Sequence, residues 1–175
     1  MINNPILNLK NGFPNGMEWT QSNITSGLFA YVYNANGIWV ACCTNTNSGL
    51  FYSTDGKTWT KSNVTVYMNT TYNANGIWVV ASDNGGGLYY STDGKTWTQS
   101  NMTTGSFDSV YNANGIWVSC IYSRDTNIIY YSTDGKVWTQ SNMTDGSLSS
   151  VYNANGMWVA AIKNKGLYYS VTWEP

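Results

Sequence analysis

The sequence predicts an all-β fold, a four-bladed β-propeller of four-stranded repeats about 40 residues long. Three observations predict it. The phrase Tyr-Asn-Ala-Asn-Gly-(Ile/Met)-Trp-Val recurs at 33–40, 72–79, 111–118 and 152–159. A second phrase, Tyr-Ser-Thr-Asp-Gly-Lys-(Thr/Val)-Trp-Thr, interleaves with it at 52–60, 90–98 and 131–139. Each unit is too small to bury its own apolar surface, so the units must stack on one another. The third observation concerns the segment after each Asn-Gly. Ile38-Trp39-Val40-Ala41-Cys42 is apolar at every position instead of alternating, which indicates a sheet covered on both faces.

Within a repeat, the first strand runs into Tyr-Asn-Ala and turns at Asn-Gly. That dipeptide between apolar runs is a strong hairpin signal, because a type I′ turn needs positive φ at both central residues. The second strand returns as Ile-Trp-Val-Ala, and the third is Gly-Leu-(Phe/Tyr)-Tyr-Ser. A tight turn at Asp-Gly leads to a fourth strand, Lys-Thr-Trp-Thr. No segment carries a helical period, and a β-trefoil would want three repeats where this chain has four.

The whole chain, 1–175, reads as one domain, with repeats at about 24–63, 64–101, 102–142 and 143–175. A segment at 15–23, Asn-Gly-Met-Glu-Trp-Thr-Gln-Ser-Asn, precedes them and matches the fourth-strand segment at 93–101. The last repeat departs from the pattern after Tyr169-Ser170-Val171-Thr172-Trp173. The segment around Trp19 is therefore expected to supply the outer strand of the last blade and close the ring. Trp173 is the competing candidate for that strand. Trp19 would then complete a neighbouring chain, so a homo-oligomeric ring stands beside the self-closed one.

In the second phrase, Asp55, Asp93 and Asp134 are placed to accept backbone N–H groups of their turns. Gly56, Gly94 and Gly135 supply positive φ, and Trp59, Trp97 and Trp138 pack back over the turn. These segments, Ser-Thr-Asp-Gly-Lys-(Thr/Val)-Trp at 53–59, 91–97 and 132–138, resemble the Asp-box or BNR repeat of sialidase-type propellers. That family's pattern is Ser-x-Asp-x-Gly-x-x-Trp, one residue longer. The resemblance implies a propeller, with the box as a structural turn remote from any active site. The wording of the repeat also resembles repeat proteins of bacteriophages of gut bacteria, which implies a virion or host-contact role.

Composition narrows the function. A net charge of −1 with 10% charged residues gives no field that would draw nucleic acid or an anionic membrane. No stretch has the length and apolarity of a membrane-spanning helix, so no membrane insertion is expected. Histidine is absent and Arg124 is the single arginine, which removes most catalytic schemes and the arginine triad of sialidases. No cofactor is implied. Without histidine or a CxxC spacing, no metal site is either. Cys42 and Cys120 occupy the repeat position of Ala81 and Ala161 and read as small buried side chains. Met1–Lys10 lacks the basic flank and apolar core of a secretion signal. An extracellular or virion-associated protein released by lysis is the expectation, with a cytoplasmic location left open. The sequons at Asn23, Asn63, Asn69, Asn101 and Asn142 read as by-products of the repeat.

Function is expected where the copies differ. The Asn-Gly and Asp-Gly turns share one face of a meander and are nearly invariant, whereas the other connections share the opposite face and vary. Loops on a rigid scaffold are where binding residues usually sit. Tyr67, Asp83, Asn84, Asp108, Tyr122, Arg124, Asp125, Lys163 and Lys165 are the expected recognition residues, for a glycan or protein ligand and without catalysis. Two alternatives stand beside this reading. One is an architectural oligomeric subunit. The other is a glycoside hydrolase using two carboxylates among Asp83, Asp108, Asp125 and Asp145.

Overall fold

The computed structural model describes residues 19–45, 49–121, 128–143, 147–163 and 165–171, with the side chains of 147–149, 163 and 171 outside the description. Its strands form successive antiparallel meanders. Sheet I comprises β1 (Phe29–Ala35), β2 (Ile38–Cys43), β3 (Gly49–Ser53) and β4 (Thr60–Lys61). Sheet II comprises β5 (Met68–Ala74), β6 (Ile77–Ser82), β7 (Leu88–Ser91) and β8 (Thr98–Gln99). Sheet III comprises β9 (Phe107–Ala113), β10 (Ile116–Ile121), β11 (Ile129–Ser132) and β12 (Thr139–Gln140). Sheet IV has three strands among the described residues, β13 (Ser147–Ala154), β14 (Met157–Lys163) and β15 (Gly166–Val171).

The first hairpin of every repeat turns as the sequence demands. Asn36 and Gly37 sit at φ 51° and 75°, and Asn75, Asn114 and Asn155 with their glycines repeat this geometry. Positive φ at both positions is the type I′ signature, whose twist matches that of the flanking strands.

The fourth strand differs from expectation. Lys57, Thr58 and Trp59 lie in the turn, and the strand is reduced to Thr60–Lys61. The reason is the carboxylate of Asp55. Its Oδ1 accepts the backbone N–H of Lys57 at 2.8 Å and of Thr58 at 2.7 Å, as well as the Ser53 hydroxyl at 2.9 Å. The Ser53 Oγ in turn accepts the N–H of Gly56 at 2.9 Å. Donors committed to a side chain are not free for a β ladder. The same arrangement recurs around Asp93 and Asp134.

The core lies between sheets. Val40, Cys42 and Leu50 of sheet I meet Val64, Met68, Trp78, Val80 and Trp97 of the second repeat. Val79, Ala81 and Leu88 of sheet II meet Phe107, Trp117 and Trp138 of the third. A stack of equivalent tyrosines runs along the innermost strands. Tyr33, Tyr72, Tyr111 and Tyr152 follow one another at centroid spacings of 5.3, 5.4 and 5.7 Å. All three cysteines are buried thiols, and burial, with a smaller push from Cys43, raises the Cys42 pKa.

A side chain read from the sequence as incidental fastens neighbouring repeats together. The amide of Asn63 donates to the Trp97 carbonyl at 2.9 Å and accepts the Trp97 N–H at 2.9 Å. Asn101 does the same to Trp138, and Asn23 to Trp59. These asparagines are sequon positions, and each clamps the turn of the following repeat. The expected closing strand is described only from Trp19 onward. Residues 19–22 join no sheet, and Asn23 is held on Trp59. Trp173 lies outside the described residues.

Candidate functional site

The variable face is built at the start of the first strand in each repeat. There the register of the β1–β2 type hairpin skips one residue in every copy, between Phe29 and Tyr31, Met68 and Thr70, and Leu148 and Ser150. In β9 the skip falls between Phe107 and Ser109, opposite Ile121 and Cys120. A β-bulge therefore recurs at Ala30, Asn69, Asp108 and Ser149. An extra residue in a bulge is left out of the ladder and its side chain is re-aimed. The bulge positions carry four different residue types, next to strands whose remaining positions hardly change.

Between sheets II and III this row forms a polar cluster. Asn69 Nδ2 donates to Asp108 Oδ1 at 3.3 Å, joining the bulges of adjacent sheets. The loop after β6 folds against the same place. The Asp83 N–H and the Ser82 hydroxyl both donate to the Tyr67 carbonyl, at 3.1 and 2.8 Å. Asn84 takes positive φ (55°), and its N–H donates to Asp83 Oδ1 at 2.6 Å. The Gly85 N–H reaches Ser106 Oγ at 2.9 Å. Burial, and then the charge of Asp83, raise the Asp108 pKa above the ordinary carboxylate value. The charge of Asp83 thus acts on Asp108 across a seam between sheets.

Of the expected recognition residues, Tyr67, Asp83, Asn84 and Asp108 come together here. Lys165 belongs to the β14–β15 turn, where its N–H donates to the Ile162 carbonyl at 3.1 Å. The backbone of Lys163 pairs with Ser147 at the end of β14. Tyr122, Arg124, Asp125 and Asp145 lie outside the described residues. Sequence reasoning missed Asn69 as a site residue. Aligning the repeats on their tyrosines places it in the register of Asp108, but nothing in one sequence marks that register as a bulge.

The opposite face holds the Asp turns. The Lys57 and Thr58 N–H groups and the Ser53 hydroxyl lower the Asp55 pKa to about 2, with the Thr58 N–H contributing most. At Asp93 and Asp134 burial acts upward, yet the same set of donors and the neighbouring Lys95 and Lys136 leave the net shift downward. Oδ1 of each of these carboxylates takes three donors from its own turn.

No family model matches the chain, and no curated protein does either. Solved structures do. The computationally designed Ika4 protein superposes with a TM-score of 0.66 at 10% identity, over 89% of this chain and 98% of that one. The computationally designed Ika8 protein gives 0.62 at 8% identity, over 82% of this chain and 45% of that one. The endo-arabinase from Bacteroides thetaiotaomicron gives 0.45 at 12% identity, over 89% and 77%. At such identities the two designed proteins establish the fold. This chain is an all-β repeat protein of the propeller type, with antiparallel sheets of about 40 residues stacked face to face.

Proposed function

We propose that the protein is a non-enzymatic recognition module that binds a glycan or protein ligand through its variable face. The observation that carries this reading is the bulge row. Four repeats keep one backbone, yet at the bulge register they carry different residue types, Ala30, Asn69, Asp108 and Ser149, beside loops of divergent sequence. Tyr67, Asn69, Asp83, Asn84 and Asp108 supply the mix of aromatic, amide and carboxylate groups suited to hydroxyl-rich or peptide ligands. The likeness of the Ser-x-Asp turns to Asp-box propellers supports a scaffold that carries its function on the other face. The likeness of the repeat to phage repeat proteins supports a virion or host-adsorption version of the same role.

The test is a glycan and protein-surface binding screen of the full chain beside an Asp83→Ala/Asp108→Ala double variant. Binding by the parent and its loss in a variant with unchanged circular dichroism is expected. Equal binding by both proteins would remove the variable face from the reading.

One observation favours a second reading. Asp83 and Asp108 bring two carboxylates to one cluster, and a pair of carboxylates is what a glycoside hydrolase works with. If this chain is a glycoside hydrolase, Asp108→Asn abolishes turnover of a glycoside while leaving binding intact. A parent protein that binds glycan without cleaving it excludes that reading.

A further inference from the structure

The outward faces of sheets I and IV expose apolar side chains whose equivalents are buried between the inner sheets. At each internal seam a tyrosine meets the tryptophan of the next sheet edge-on. Tyr33 meets Trp78 at 6.1 Å, Tyr72 meets Trp117 at 6.2 Å, and Tyr111 meets Trp158 at 5.9 Å. Among the described residues the pattern gives Tyr152 no following tryptophan and Trp39 no preceding tyrosine. Exposure follows. Leu167, on the outward face of sheet IV, is 75% exposed, whereas its equivalents Leu50 and Leu88 are 0% exposed. On the outward face of sheet I, Trp39 is 38% exposed against 2% for Trp78 and Trp117, and Phe29 is 43% against 0% for Phe107. A cleft of about 360 Å³ lies open on that face, lined by Ile24, Phe29, Val32, Ala41 and Trp59 among others. At the next seam the counterparts of Ile24, Phe29 and Trp59, namely Val64, Met68 and Trp97, are core.

We propose that a second copy of this chain covers both faces, sheet IV of each copy packing on sheet I of the other to close a two-chain ring. The faces fit each other and do not fit themselves. Sheet IV exposes what sheets I and II bury against the next sheet, and sheet I exposes what sheets II and III bury against the preceding one. Such a contact is head-to-tail and propagates unless it closes.

Among the described residues the first and last sheets do not meet. In a four-sheet ring the tyrosine stack would return from Tyr152 to Tyr33 at the same spacing, and among the described residues it does not. Successive tyrosine planes turn by 33°, 43° and 36°.

Two further features lie at the same seam. Lys95 stands over Tyr52 at 6.0 Å and Lys136 over Tyr90 at 5.6 Å, each reaching back to the preceding sheet. By register Lys57 would reach Tyr169, which is exposed. Sheet IV also lacks a described fourth strand, while residues 19–22 join no sheet. Thr98 and Gln99 pair with Tyr90 and Tyr89, so residues 20 and 21 of the second copy would pair with Tyr169 and Tyr168.

The experiment is the solution mass of the full chain by light scattering across a wide concentration range. The expected value is twice the chain mass of 19.4 kDa. Leu167→Asp and Val32→Asp, one on each outward face, are each expected to run at the single-chain mass with strand circular dichroism retained. Mixing the two variants should restore a two-chain species, because each retains the face the other has lost. Tyr169→Lys, which sets an ammonium against that of Lys57, is a milder change expected to raise the dimer Kd roughly tenfold or more. A parent at the single-chain mass, a higher multiple, a dimer that survives Leu167→Asp, or a mixture that stays single-chain would each overturn the proposal.

Discussion

The ring of Tyr111 meets the indole of Trp158 at 90°, with centroids 5.9 Å apart, and the contact recurs at both preceding seams. Edge-to-face pairs of this kind add roughly 0.5–1.5 kcal/mol beyond the area they bury. The same indoles fill the gap between sheets, so the recurring tryptophan is where stacking of the repeats is concentrated. Truncating Trp78, which is buried against Tyr33, is expected to cost about 3–5 kcal/mol. Chemical denaturation of Trp78→Ala with an unchanged midpoint would contradict that placement.

The asparagine clamp is the second element joining repeats. Asn101 satisfies both the N–H and the carbonyl of Trp138, and no strand partner takes over those groups. Asn101→Ala is expected to destabilise the protein by about 1–3 kcal/mol through the two groups left unpaired. Asn101→Asp, which keeps the acceptor and loses the donor, should fall between parent and alanine variant. A denaturation midpoint unchanged in both variants would refute the clamp.

Two glycines separate backbone strain from packing. Gly76 sits at φ 78° with open space where a Cβ would project. Gly94 sits at φ 71°, and a Cβ there would meet Ile38 at 3.0 Å and Trp78 at 3.2 Å. Gly76→Ala is expected to cost only the left-handed penalty of roughly 1–2 kcal/mol. Gly94→Ala should cost more, since Ile38 of the preceding sheet must give way as well. Equal melting points for the two variants would show that the seam between sheets I and II is looser than these distances imply.

How much of this is legible in the sequence varies with the kind of interaction. Asn36-Gly37 and its copies announce their hairpins because positive φ is a local demand that few residues meet. The all-apolar run Ile38–Cys42 likewise announces sheets covered on both faces, since burial is written in residue type. The short fourth strand is not legible, because it depends on which backbone donors Asp55 captures. Neither is the role of Asn63, whose partner Trp97 lies in the next repeat. The site is legible only in part. Loop variability points to Tyr67, Asp83, Asn84 and Asp108, but Asn69 enters through a bulge, a feature of strand register that leaves no residue signature here.

The Asp turns are expected to contribute to the acid sensitivity of the fold. Asp55 has a pKa lowered from the ordinary 3.8 to about 2, and Asp93 and Asp134 are lowered as well. A carboxylate whose pKa is depressed in the folded state contributes stability that is fully present above its unfolded value. That contribution is lost as pH falls through the folded one. The melting temperature is therefore expected to hold from neutral pH to about 4 and to fall as pH drops toward about 2. Asp93→Asn in place of the charged turn should lower the melting temperature at neutral pH and flatten the acid limb, because one of the titrating groups is gone. A parent protein whose melting temperature does not change across that acid range would show that the three carboxylates hold their turns equally well when protonated.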